Sequence, residues 1–391
     1  MSAPTPLERL ACGEDITLEV EYEAPLYWLW LADLLHPGFA HARLVLNAYG
    51  GAKQVWQQRH DTERFAAAAG SSAARRLAEN LHTPADFAPV LQCCEAKGIR
   101  VVTPDLPAYP VALSNLDDLP LVLYCTGEIR YLNTAFTVGM VGSRKPSPYG
   151  VEAAARLGKT IAQSGAVIVS GLADGLDSEG HKAAVASDAP TIAVLGVPIH
   201  RTYPAGNAAL RRKIEQHGVV VSEYPPVEST THGTAFLQRN RIIAGLSSAL
   251  LVVEARQRSG TMSTVAHAER YGRPVYAVPG SIFSSLSQGT NELLESGRAR
   301  PAMTGREILQ AIGLPVQRQP ICAEMGEEEP ETTTLTPQQA AVLGCIGPTP
   351  KGLGALMGET GLTMGALLGT LTALEMAGRI VALPGRQYKL K

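Results

Sequence analysis

Several kinds of chemistry are missing from this sequence. Six cysteines among 391 residues (Cys12, Cys93, Cys94, Cys125, Cys322 and Cys345) form no CxxC pair, so neither a zinc site nor a dithiol redox centre is expected. The adjacent Cys93 and Cys94 read as part of a buried helix face. No apolar run approaches the roughly 20 residues that span a bilayer. Met1 to Glu14 has no signal-peptide pattern, so the expectation is a cytoplasmic protein with no membrane partner. Charge of one sign is not in excess: 34 Lys+Arg against 36 Asp+Glu leaves a net −2. Any nucleic-acid partner must therefore be held by a local patch. There is no GxGxxG with an acidic residue about 20 positions on, no GxxxxGK[ST] loop and no GxSxG elbow. Dinucleotide binding, triphosphate hydrolysis and nucleophile-elbow chemistry lose their usual signatures, and no cofactor and no metal are expected.

What is present is a chain of several domains rich in turns, with 38 glycines and 27 prolines. Residues 1–97 read as an N-terminal helical module. Leu29, Leu31, Leu34 and Leu35 share one helix face, and glycine turns such as Asn47-Ala48-Tyr49-Gly50-Gly51 separate the helices. The pattern suggests a helix–hairpin–helix or sterile-alpha-motif-like unit. From 98 to 315, short β-branched runs alternate with amphipathic helices. Thr137–Gly142, Ala166–Gly171, Thr191–Gly196, Val219–Ser222, Ala249–Val253 and Pro274–Pro279 read as largely apolar strands, the first three running into glycine turns. That alternation implies an α/β core, a Rossmann-like parallel sheet with helices on both faces. Residues 316–332, with Glu327-Glu328-Glu329, read as an acidic linker. Residues 333–391 supply three helices and a terminal hairpin, the layout of a winged helix. Its third helix, from Thr363, lacks the Arg, Lys, Asn or Gln that a groove reader needs, so a protein-contact or structural role is expected. Arg379, Arg386 and Lys389 offer the hairpin weak contact with phosphate.

In an open parallel sheet, ligands gather where strand C-termini feed helix N-termini. Here those ends are glycine-rich and polar. Gly142, Ser143 and Arg144 follow the first core strand, and Ser170 and Gly171 follow the second. Asp177 and His181 lie four apart after that turn and read as a helix cap and a packed histidine. Arg201, Asn207 and Arg211 follow the third strand. Arg239-Asn240-Arg241 precedes another, and Ser259-Gly260 opens a helix beyond it. Arginines pair bidentately with phosphate, and helix N-termini add amide donors. A row of such turns suits a sugar–phosphate chain, with Tyr149, Tyr203 and Phe236 as candidates for base stacking.

These residues carry a resemblance. Val141-Gly142-Ser143-Arg144 with Ser147 and Tyr149-Gly150, Ser170-Gly171, Gly175-Leu176-Asp177 with His181, Tyr203-Pro204 and Ser222-Glu223 recur in one family in this order. So do Arg239 to Ser247, Ser259-Gly260, Gly272-Arg273-Pro274 and Ala277 to Gly280. The chain resembles the DNA-processing protein A (DprA/Smf) family. The resemblance implies a dimeric, non-enzymatic protein that binds single-stranded DNA and loads the recombinase RecA onto it in natural transformation. Other competence or single-strand-binding proteins would be further partners. It implies that Arg144, Arg239 and Arg241 grip backbone phosphates. Four departures stand out: Asp174 replaces an arginine, Gly196 to His200 replaces a Gly-x-Gly-x-Asp turn, Ala205 replaces a basic residue, and Leu237 replaces a proline.

The core also resembles nucleoside-monophosphate phosphoribohydrolases, which makes an enzyme the alternative. Their Pro-Gly-Gly before Gly-Thr and the following glutamate have no counterpart around Ser259-Gly260-Thr261. A dimer surface is expected on the last core helices, at Leu286, Leu293, Leu294, Ile308 and Leu309.

Overall fold

The computed structural model describes residues 25–227, 233–315, 336–347, 349–383, 385 and 387–390. They form two compact units, one within Met1–Val316 and one within Gln317–Lys391. The expected acidic linker, and Arg386 of the hairpin, lie outside the described residues.

The first unit opens with helices α1 (Pro25–Leu35), α2 (Ala42–Tyr49), α3 (Ala52–Gln57), α4 (Thr62–Ala69), α5 (Ser71–Glu79) and α6 (Ala88–Ala96). Gly50 ends α2 in the left-handed conformation (φ 89°), and Asp61 caps α4 by accepting from the Arg64 amide at 3.0 Å. Leu29, Leu31, Leu34 and Leu35 are all buried, as their spacing predicts, but Trp28 and Trp30 on the same helix are buried too. The middle of this helix, Trp28 to Leu31, is covered all round rather than on one stripe, while Asp33 remains exposed. One buried cluster runs from Trp30, Val45 and Phe65 into Leu123, Val194 and Val220 of the sheet. The helical module and the α/β core thus share apolar packing.

The sheet has nine strands: β1 (Arg100–Val102), β2 (Leu123–Gly127), β3 (Thr137–Val141), β4 (Val167–Ser170), β5 (Thr191–Leu195), β6 (Val219–Ser222), β7 (Ala249–Val252), β8 (Val275–Ala277) and β9 (Arg300–Pro301). The spatial order is β1-β2-β6-β5-β4-β3-β7-β8-β9. From β6 to β9 every pairing is parallel, and β1–β2 and β2–β6 are antiparallel. Strands β3 to β8 are buried along their whole length. This explains their unbroken apolar composition, since both faces carry helices.

The connecting helices are α7 (Val111–Ser114), α8 (Pro148–Gln163), α9 (Leu176–Ala186), α10 (Ala208–His217), α11 (Thr234–Leu246), α12 (Thr261–Arg270), α13 (Gln288–Glu295) and α14 (Arg306–Ala311). Beginning at β3, the chain builds outward through β4 and β5 to β6, then returns to the other side of β3 to lay down β7. The order reverses between β3 and β7. Strands splay there because their connections lead to opposite sides, and a crevice opens at their C-terminal ends.

The second unit holds α15 (Pro337–Cys345), α16 (Leu353–Thr360), α17 (Met364–Met376) and a three-stranded sheet of β10 (Lys351–Gly352), β12 (Gln387–Leu390) and β11 (Ile380–Leu383). Thr336 and Gln339 form a reciprocal capping box at α15, with Pro337 in the first turn. Val342, Leu356, Leu367, Leu371, Leu374 and Ile380 make its core. The exposed positions of α17 are Met364, Gly365, Gly369, Thr372 and Glu375, which bear no cation.

Candidate functional site

A cleft of about 410 Å³ opens at the β3/β7 reversal point. Val141, Gly142, Ser143 and Arg144 form one wall and Ala255, Arg256, Ser259, Gly260 and Thr261 the other. Phe236, Leu237, Arg239 and Asn240 of α11 complete it. Eight of the sequence-predicted residues are therefore gathered in one place: Gly142, Ser143, Arg144, Phe236, Arg239, Asn240, Ser259 and Gly260.

The two walls are tied together. The Ser143 amide donates to the Glu254 carbonyl at 2.8 Å, and the Thr261 hydroxyl donates to the Gly142 carbonyl at 3.2 Å. Gly142 is required because an added Cβ would come within 2.4 Å of Leu176 Cδ1 and 3.0 Å of the Glu254 carbonyl. Helix α12 starts at the cleft with Gly260 as its N-cap and no side chain capping it. No side chain competes for its first amides, although two of them, those of Met262 and Ser263, donate to the carbonyls of Ser259 and Gly260 at 3.1 and 3.2 Å. These amides supply the positive end of a ten-residue helix. Asn240 braces this start by donating to Ser263 Oγ at 2.8 Å and the Gly260 carbonyl at 3.2 Å.

Arg239 is the deepest cation. Its Nη1 donates to the Gly171 carbonyl at 2.6 Å and also to the Val194 carbonyl, bridging the ends of β4 and β5. Its Nε, though buried, has no partner among the described residues, and neither has the hydroxyl of Ser259. Both residues line the cleft, whereas Arg241 Nε and Nη1, likewise buried without a partner, belong to a residue outside it. An unpaired buried donor carries a desolvation cost of about 1–3 kcal/mol. Burial, partly offset by Asp177, lowers the Arg239 guanidinium to about 10, so it stays a cation at neutral pH. Gly171 accommodates it, since a Cβ there would fall 2.0 Å from Arg239 Nη1. Asp177 accepts from the Gly171 amide at 3.2 Å, and burial holds its carboxyl above the usual range against the pull of Arg239.

The rim is cationic and aromatic. Arg144 lies over the Phe236 ring at 5.5 Å, and Phe236 lies 5.2 Å from the half-exposed ring of Tyr203. Arg144, Lys145, Arg256 and Arg258 are all exposed, and none forms an ion pair among the described residues. Arg256 lines the cleft itself, and the sequence reading passed over it. The signal was available: Arg256-Gln257-Arg258 lies in the turn between β7 and Ser259-Gly260.

Other expected contacts lie elsewhere. Arg241 is buried and faces away from the cleft, with its Nη2 donating to Glu223 Oε2 at 2.6 Å. Burial pulls its guanidinium down, but Glu223 and Asp118 hold it above its ordinary value. This corrects the expectation of a phosphate grip: the charge is already neutralised inside the protein. Ser170 donates to the Met140 carbonyl. Asn207 donates to the Leu172 carbonyl and Ser178 Oγ, each at 2.9 Å. Arg211 is spent on the Arg201 and Ile199 carbonyls, each at 2.6 Å, and on Glu215 at 2.9 Å. These three fasten loops. Arg201 is half-buried and outside the cleft wall. His181 is buried, with Nδ1 at 2.8 Å from Thr191 Oγ1.

Of the expected dimer residues, Leu293, Ile308 and Leu309 have 0% exposure within a single chain, so they fill the interior and offer no surface. Leu286 and Leu294 remain half-buried. Among the described residues no cluster of three metal-ligating side chains occurs, and no helix is long and apolar enough to cross a membrane.

Comparison with known proteins places this geometry. Residues 100–313 match the family model described as DNA recombination-mediator protein A, and residues 326–386 match the DprA winged helix domain. The DNA processing protein DprA of Bacillus subtilis is 34% identical over 223 residues, covering 57% of this chain and 74% of that protein. The crystal structure of DNA processing protein A from Streptococcus pneumoniae superposes with a TM-score of 0.64 at 28% identity, over 76% of this chain and all of the other. A structure of the Helicobacter pylori protein, described for its single-stranded DNA binding mode, matches with a TM-score of 0.50 at 32% identity, over 55% of this chain and 95% of the other. With a family match over more than half its length and a relative matched over about three quarters of its own, the chain belongs to the DNA recombination-mediator protein A (DprA/Smf) family.

Proposed function

We propose that the cleft between β3 and β7 binds single-stranded DNA by its backbone. The observation that carries this reading is the pair of unpartnered donors, Arg239 Nε and Ser259 Oγ, beside the uncapped start of α12 in a cleft rimmed by Arg144 and Arg256. Such a set takes an anion. The exposed Tyr203 ring and the half-buried Phe236 ring beside it provide π-faces for bases. A duplex hides its base faces, so the rim favours single strands. The single-stranded DNA binding mode for which the Helicobacter pylori relative is described supports the same choice.

Family membership supports a wider role: protecting incoming single strands and loading RecA onto them during natural transformation, as a homodimer and without turnover of a substrate. Leu286 and Leu294 are the members of the expected dimer set that keep surface for such contact. A strand-exchange reaction with RecA tests the loading role, with stimulation by this protein expected and no stimulation contradicting it. For the cleft itself, anisotropy with a labelled oligothymidylate is the test. Arg144→Ala and Arg256→Ala should each weaken binding about tenfold, and unchanged affinity in both would refute the assignment. Release of free base from a nucleoside monophosphate would favour the enzyme reading instead.

A further inference from the structure

Beyond the cleft, the same edge of the sheet carries a feature that phosphate binding does not use. The loop from Gly280 to Ser287 displays two apolar side chains in solvent: Ile282 is 78% exposed and Phe283 is 93% exposed. This loop is built, not slack. Asn291 clamps its base, accepting from the Gly280 amide at 3.1 Å and donating to the Gly280 carbonyl at 3.0 Å. Within it, the Phe283 amide donates to Ser281 Oγ at 3.3 Å, and the Ser284 and Ser287 amides donate to the carbonyls of Ser281 and Ser284 at 3.0 Å. The Phe283 ring is therefore held out by a loop whose backbone is fixed in advance. Exposing a large ring this way gives up burial worth about 2 kcal/mol, which a binding partner recovers.

Beside this loop stands Tyr149. Its hydroxyl donates to the Pro279 carbonyl at 2.7 Å, which fixes a half-exposed ring against the loop. The hollow beside it is lined by Ser147, Tyr149, Glu254, Ser281 and Ser284. No cation lines it, and its one carboxylate, Glu254, accepts the N–H and O–H of Ser147. A phosphate would be repelled there, whereas hydroxyls and aromatic faces suit bases. The two share no lining residue, but one short stretch of chain borders both: Gly142, Ser143 and Arg144 line the cleft, and Ser147 and Tyr149 line the hollow.

We propose that a single strand held in the cleft continues over Tyr149 to this loop, where Tyr149 and Phe283 stack bases that the cleft does not reach. The proposal rests on the single-strand reading of the cleft and adds a second subsite to it. Ile282 widens the apolar face beside the ring. The surrounding serines keep the patch to two side chains, far smaller than the apolar core of a stable protein interface.

The experiment uses the full chain and labelled oligothymidylates of increasing length. For the parent, affinity should rise again once the oligomer outgrows the cleft. Phe283→Ala should match the parent on the shortest oligomers that bind and fall about tenfold behind on long ones. Phe283→Trp should keep the parent's affinity, and long oligomers should quench the emission it adds over the parent. If Phe283→Ala tracks the parent at every length, or the added emission ignores bound DNA, the second subsite is refuted. Arg144→Ala separates the two readings. It should weaken short and long oligomers alike, and if it leaves both unchanged the cleft assignment is what fails.

Discussion

Arg239 and Arg241 carry the same charge on one helix, two positions apart, yet they do different work. Two residues in an α-helix are about 200° around the axis from one another, so they cannot face one site. Arg239 reaches the strand ends and the cleft, and Arg241 meets Glu223 on the other side. Their effects should separate. Arg241→Ala leaves Glu223 as an uncompensated buried carboxylate and should cost about 3–5 kcal/mol of stability, read as a lower urea midpoint. Arg144→Ala, at an exposed position, should leave the midpoint within about 0.5 kcal/mol of the parent while weakening DNA binding. His181 gives the fold a pH response. Burial, reinforced by Arg239, lowers its imidazole to about 3, against about 6.5 in an unfolded chain. Below pH ~6.5 the unfolded chain therefore binds a proton that the native state refuses. The native state loses about 1.4 kcal/mol per pH unit from this group as pH falls toward 3. Urea midpoints at pH 7 and pH 5 should differ less for His181→Gln than for the parent.

At the scale of elements, the site is two strand–turn–helix units meeting where the sheet order reverses. The strands, the glycine turns and the helix starts after β3 and β7 are legible in the sequence, because fully apolar runs and Gly-Ser-Arg or Ser-Gly turns report local structure. Less legible is which polar side chains a turn spends on itself. Ser170, Asn207 and Arg211 look like ligand donors in one dimension, and each satisfies a backbone carbonyl in three. Leu293, Ile308 and Leu309 look like an interface because helix periodicity shows an apolar face without showing what covers it. Strands β1 and β9, three and two residues long at the sheet margins, left no comparable apolar run. The turn after β4 yields a direct check on packing. Gly171→Ala would drive a Cβ into the Arg239 guanidinium and should lower both thermal stability and DNA affinity. Gly165→Ala in the preceding turn, at a positive φ but with open space around it, should lower stability alone.

For the whole molecule, a nearly neutral chain gathers its working charge in one place. A net −2 spread over 391 residues gives no general attraction for DNA, whereas Arg144, Lys145, Arg239, Arg256 and Arg258 cluster about one cleft or in its flanking turns. Winged-helix readout of duplex sequence has little support from α17, whose exposed residues bear no cation. The central claim is thus that binding is local, ionic and single-strand selective. The measurement that tests it most directly is the salt dependence of oligothymidylate affinity for the parent, Arg144→Ala and Arg256→Ala. On single strands each phosphate contact contributes about 0.7 to the slope of log K against log salt. The account predicts a steep negative slope for the parent and a slope shallower by about 0.7 for each variant, with weak binding of duplex throughout. Slopes identical in all three proteins, or affinity insensitive to salt, would contradict it.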